Sequence, residues 1–220
     1  MKNWLIGTIL LGLSANCLCD VPACAAEEAE DGFVSLFDGK TLEGWEGKPQ
    51  FWSVQDGTIT GQTTPENPTK GNSFLIWRKV NTADFELRLK FRIVGGNSGI
   101  QYRSKELDDF VVSGYQGDFA AGAAGDKFSG ILYEEKGRGI LALRGEKKVI
   151  QEDGSKEVVG RTCDEAEMLA SVKKEGWNDY TIIAKGNHLV QIINGFTTVD
   201  VTDLQTEKRA AEGILALQLH

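Results

Sequence analysis

Cysteine is nearly absent from the part of this sequence that would fold. Four occur in 220 residues, and Cys17, Cys19 and Cys24 crowd into the first 26, leaving Cys163 alone. A chain with one thiol has no internal disulfide framework, so a large apolar core must hold it. No histidine sits near Cys163 in a recognisable motif, so it reads as a half-buried residue beside a short helix rather than as a nucleophile. Basic runs are missing as well. Lys and Arg number 24 against 32 Asp and Glu, a net charge of −8. That balance speaks against nucleic acid and anionic membrane as partners and suits a neutral ligand. The longest apolar run, WLIGTILLGL, falls short of the roughly 20 residues that a transmembrane helix needs.

That run belongs to a segment with its own logic. Lys2 supplies a charged start, the apolar stretch follows, and Ala23-Cys24-Ala25 provides the small residues a signal peptidase reads. Residues 1–26 therefore read as an export signal, cut near Ala25 or Ala26, which makes the protein periplasmic or secreted. Acylation of Cys24 as a lipoprotein anchor is the lesser reading, because Pro22 fits it poorly. Removal takes one charge of each sign, Lys2 and Asp20, so the acidic balance persists. Residues 27–220 are then expected to form one domain.

What is present is strand. FELRLKFRI alternates without a break: Phe85, Leu87, Leu89, Phe91 and Ile93 on one face, Glu86, Arg88, Lys90 and Arg92 on the other. FWSVQDGTITGQ reads as two strands joined at Asp56-Gly57, a favoured hairpin turn. Residues 180–203 give three more strands, turning at Lys185-Gly186-Asn187 and Asn194-Gly195, and GILALQLH closes with another. One short helix is expected near 164–173, with Asp164 placed to cap it. Many short strands with glycine-rich turns make the fold all-β, an antiparallel β-sandwich or jelly roll. The chain stops at His220 directly out of a strand, so that strand is expected at a sheet edge or followed by further residues.

One stretch, FRIVGGNSGIQYRS, interrupts its own alternation with Gly95, Gly96 and Gly99. Glycine inside a strand marks a bulge or a close approach of something to the backbone. Both are expected here, with a sugar lying close to Gly99.

The ordered set LFDGKTLEGWEG, FWSVQDGTITGQ, DFELRLKFRIVGGNSGIQYRS, VVSGYQGDF, GWNDYTIIAKGNHLVQIINGFTTVDVTD and GILALQLH resembles the 3-keto-disaccharide hydrolase domain family from about Gly32 to His220. The resemblance implies a concanavalin A-like lectin/glucanase sandwich acting on a small glycoside already oxidised at C3. Family members continue past QLH with a glycine-containing turn and one more strand, which this sequence lacks. The Glu-x-Asp-x-x-Glu spacing of ordinary concanavalin-like glucanases is also absent.

A C3 ketone acidifies the C2 hydrogen, so such a site needs a base near neutral pKa, donors for the enolate oxygen and an acid for the leaving group. Asp118 and Glu135 are the candidate bases, and His220 the candidate acid, base or metal ligand. For substrate contacts, alternation points to Glu86, Gln101, Arg103 and Gln116 sharing a surface with Asp118, while Arg138 sits in a charged loop above it. A single bulge in the glycine stretch would invert this parity. The residues point to no certain cofactor, and a divalent metal is left open, since oxygen-rich calcium sites occur in related sandwiches although no EF-hand loop is present. The competing expectation is a non-catalytic carbohydrate-binding module on the same fold.

Overall fold

The computed structural model describes residues 32–220 and the backbone of 2–13. The expected cleavage point near Ala25 and the anchor cysteine Cys24 lie outside the described residues.

Two sheets face each other across the core. The chain begins with β1 (Lys2–Leu13), β2 (Phe33–Ser35) and β3 (Trp45–Glu46). Then come β4 (Trp52–Gln55), β5 (Thr58–Thr63), β6 (Ser73–Trp77), β7 (Phe85–Ile93), β8 (Asn97–Glu106) and β9 (Val112–Ala120). Helix α1 (Gly122–Phe128) precedes β10 (Leu132–Glu135), β11 (Gly139–Ala142), β12 (Glu146–Ile150) and β13 (Lys156–Arg161). After α2 (Glu165–Ser171) the chain forms β14 (Asn178–Lys185), β15 (His188–Ile193), β16 (Phe196–Asp203) and β17 (Ile214–Leu219). The larger sheet runs β13-β12-β16-β15-β14-β7-β1-β5-β4, with β2 against β1; the smaller runs β11-β10-β9-β8-β17-β6-β3. Among the described residues all strand pairings are antiparallel except β12 with β16.

The expected turns form as the sequence predicts. Asp56 and Gly57, and Asn194 and Gly195, all take positive φ, the conformation that the tightest hairpins require. Strand β7 buries its apolar set and leaves Glu86, Arg88, Lys90 and Arg92 outside the core. Between the sheets Phe91 stacks on Phe119 with ring centroids 4.2 Å apart. Three polar side chains caught there bond to one another: Tyr180 donates to Gln191 Oε1 at 2.8 Å, and Gln191 Nε2 donates to the Tyr102 hydroxyl at 3.2 Å. Trp45, Trp52 and Trp77 belong to this core.

Two expectations need correction. Strand β17 lies between β6 and β8, so it is not an edge strand. A second helix, α1, was not expected, because Gly122-Ala123-Ala124-Gly125 carries no apolar period and Ala121 offers no capping side chain. Its stabilisation is tertiary: buried Arg144 donates to the carbonyls of Asp126 and Ser129 at 2.8 and 2.7 Å, satisfying groups that a helix end leaves open. Helix α2, by contrast, has its local cap, the Asp164 carboxylate accepting from the Ala166 and Glu167 amides at 2.9 Å each.

Candidate active site

The smaller sheet presents a polar face away from the core, and alternation decides what stands on it. Tyr115, Gly117 and Phe119 point inward, so Gln116 and Asp118 on β9 point outward. On β10, Tyr133 opposes Gln116 and Glu135 opposes Gly114, both facing outward. Gln101 on β8 also opposes Gln116. Gln218 and His220 add the same face from β17 and its end. Asn72, Gln116, Asp118, Tyr133, Glu135 and His220 line one cavity of about 310 Å³.

What approaches Gly99 is Gln116. A Cβ at position 99 would lie 2.6 Å from Gln116 Cγ and 2.8 Å from its Nε2, so glycine leaves the channel through which that side chain crosses β8. Gln116 Nε2 then donates to Asp118 Oδ1 and, at 3.4 Å, to Gln218 Oε1. On the other side of the cavity Asn72 bridges two groups: its Nδ2 donates to Glu135 Oε2 at 3.1 Å, and its Oδ1 lies 2.5 Å from His220 Nδ1. The Asn72 amide is thus oriented with its oxygen toward His220 Nδ1, which leaves His220 Nε2 for other chemistry.

Electrostatics set this face apart. Burial pushes the Asp118 carboxyl up to about 7, against the pull of the Gln116 bond, and the charge of Glu135 adds to the rise. Glu135 is raised as well, first by burial, with Lys136, His220 and Asn72 pulling it back. Tyr133 rises through burial and then through both carboxylates. A carboxyl that exchanges its proton near neutrality, in a cavity open to a small molecule, can serve as a general base.

Four of the eight expected residues line this cavity, Asp118, Glu135, His220 and Gln116, while a fifth, Gln101, stands behind it, bonded to Gln116. Three do not. Glu86 stands on the other sheet, where Arg88 Nε donates to it at 2.6 Å. Arg103 takes φ +46 where the register of β8 shifts, and this bulge sends the side chain out of the face. Its guanidinium donates to the carbonyls of Ala83 (2.7 Å) and Gly186 (2.5 Å) and to Asp84 (3.0 Å), a clamp between loops rather than a sugar contact. Arg138 turns inward to Glu134, Asp203 and Gln205. Asn72, Tyr133 and Gln218 were not anticipated. The i, i+2 spacing of Tyr133 with Glu135, and of Gln218 with His220, could have found two of them. Asn72 closes a proline-rich loop and carries no such signal. Among the described residues no group of three or more His, Cys, Asp or Glu is placed to hold a metal ion.

A 3-keto-disaccharide hydrolase from Bacteroides thetaiotaomicron is 33% identical over 87 residues, a match spanning 35% of this chain and 29% of that protein. Among solved structures, a carbohydrate-binding module from Bacillus subtilis superposes with a TM-score of 0.50 at 16% identity, over 80% of this chain and 87% of its own. A candidate glycosyl hydrolase from Parabacteroides distasonis gives 0.52 at 19% identity, over 81% and 87%. These likenesses establish the β-sandwich fold. The model of the 3-keto-alpha-glucoside-1,2-lyase-like domain matches residues 32–220, and the chain belongs to that family.

Proposed function

We propose that this protein cleaves 3-keto-glycosides, with Asp118 as the base. The observation that supports it is the position of Asp118: a carboxyl only 5% exposed, held near pH 7 without a cationic partner and lining the same cavity as Glu135 and His220. Asp118 takes the C2 proton, the C2–H electron pair enters the enolate, and negative charge develops on the C3 oxygen. The Tyr133 hydroxyl is the donor for that oxygen, in place of the displaced Arg103. Collapse of the enolate forms the C1–C2 double bond and breaks the C1–O bond, and protonated His220 delivers a proton to the departing oxygen. Water adding across the double bond, hydroxide to C1 and proton to C2, completes a net hydrolysis. Elimination alone follows if that addition does not occur. Glu135 holds Asn72, and through it His220, in register.

This differs from ordinary glycosidases, where two carboxylates flank an oxocarbenium-like transition state. Export is part of the same proposal and rests on the leader-like residues 1–26 alone; in the structure Lys2–Leu13 form β1 between β5 and β7, so removal of the leader would leave those two strands open along the edges that β1 covers. The test is incubation with a 3-keto disaccharide and with its unoxidised parent, with and without a chelator. Turnover of the oxidised sugar alone is expected. Binding of sugar without release from either would make the domain a carbohydrate-binding module, and loss of turnover on chelation would add a metal.

A further inference from the structure

Behind the cavity runs a chain of amides with one direction. Gln101 and Ser104 are fully buried and do not line the cavity. The Ser104 hydroxyl lies 2.8 Å from Gln101 Oε1, with the carbonyls of Tyr102 and Tyr115 at 3.0 and 3.4 Å as its other acceptors; Gln101 Nε2 donates to Gln116 Oε1 at 2.5 Å, and Gln116 Nε2 donates to Asp118 Oδ1. In this arrangement each amide presents its oxygen to the group before it and its NH₂ to the next, ending on the Asp118 carboxylate. A glutamine amide can rotate by half a turn at almost no steric cost, so hydrogen bonding decides which end meets Asp118. With its carbonyl oxygen held by Gln101, Gln116 must present its NH₂ to the carboxylate. Rotated the other way, it would set oxygen against oxygen and would require Asp118 to keep a proton.

We propose that Gln101 and Ser104 are positioning residues, which lock the Gln116 amide with its donor toward Asp118 and so keep that carboxyl available as an acceptor. Gln101 was expected among the sugar contacts, yet both polar ends of its side chain are taken by neighbours. The catalytic half of this assignment rests on Asp118 acting as the base. The geometric half does not.

The test separates them. In Gln101→Met, a near-isosteric change without hydrogen bonds, Gln116 loses the partner that orients it. The carboxyl of Asp118, followed by carbon-13 NMR titration of the labelled protein, should move upward by about one unit, tenfold in proton affinity. The acid limb of the kcat/KM profile for a 3-keto disaccharide should move with it, with KM unchanged and activity recovered at high pH. Ser104→Ala, a smaller lesion that keeps Gln101 in place, should give the same direction with a smaller shift. Unmoved titration and unmoved pH profile in both variants would overturn the proposal, even with a lowered Tm, because a merely structural role predicts that outcome. A shifted carboxyl in a protein that turns over neither sugar would uphold the positioning and remove only the reaction assigned to Asp118.

Discussion

Consecutive residues at one hairpin tip serve two buried polar regions of opposite character. Glu134 points into the sandwich and Glu135 out to the cavity, as strand alternation requires. On the inner side Arg138 donates to Glu134 at 2.8 Å and to Asp203 at 2.7 Å, and the Tyr115 hydroxyl adds a 2.6 Å bond to Asp203. Every carboxylate there has its cation. On the outer side Asp118 and Glu135 are comparably buried, burial raises both carboxyls, and the charge of Glu135 adds to the rise of Asp118. Burying charge is tolerable when it is paired and hydrogen-bonded, and otherwise the group keeps a proton. The inner region is therefore a strut, while the outer one retains the reactivity that the strut has lost.

The comparison can be broken most severely from the inner side. Arg138→Met should destabilise the protein by about 3–5 kcal/mol, because two buried carboxylates lose their cation at once. Denaturant melts check this. A loss within 1 kcal/mol would mean that the network is solvated and that the contrast is unreal.

Asp118→Asn acts in the opposite sense. Turnover of a 3-keto sugar should fall by about 10²–10⁴, the usual contribution of a positioned base. Stability should rise, with a sign that follows from linkage. The carboxyl ordinarily titrates at 3.8 and does so in the folded protein at about 7. Between those values the folded state binds a proton that the unfolded chain has released, so stability falls as pH climbs through the window. The neutral Asn removes that loss. Its Tm should exceed that of the parent at pH 8 and match it near pH 3, and equal gains at both would show that Asp118 carries no such burden.

Gly99→Ala places a methyl group where Gln116 crosses. A cost of about 1–3 kcal/mol is expected from overpacking, with loss of activity exceeding what stability explains. The larger Gly99→Val change would exaggerate both. Unchanged activity in a stable Gly99→Ala protein would show that Gln116 has another route. The smallest effect belongs to Lys136→Ala at the exposed tip. It should leave stability within about 0.5 kcal/mol, because a lone exposed charge contributes little. Glu135 should titrate higher, since Lys136 is one of the groups holding it down. An unchanged value would show that Lys136 does not hold that group down.

How far the sequence reached follows from which interactions are local. Alternation placed β7, β8 and β9, and it put Gln116 and Asp118 on one side with Tyr115 on the other. Turn chemistry at Asp56-Gly57 and Asn194-Gly195 needs only neighbouring residues. Arg103 escaped because one positive φ beside a shifted register redirects everything beyond it. Arg138 escaped because its partner Asp203 lies 65 residues away, so its charge looked available when it was not. Helix α1 has no local reason to exist, and Arg144 arrives from another element to supply one. His220 was suspected from its residue type, but only the fold brings it 2.5 Å from Asn72, 148 positions earlier.

Strand β17 sits in the middle of the smaller sheet, between β6 and β8. During synthesis β6 and β8 therefore wait, each with an open edge, until Ile214–Leu219 emerges to join them. Until then Asn72 has no His220 to hold, and Gln116 has no Gln218 beside it. Long-range pairing of this kind makes folding slow, because loop closure must be overcome before any contact rewards it. A nascent or truncated chain is thus expected to be inert as well as unstable, and the cavity appears late, as a consequence of completed folding.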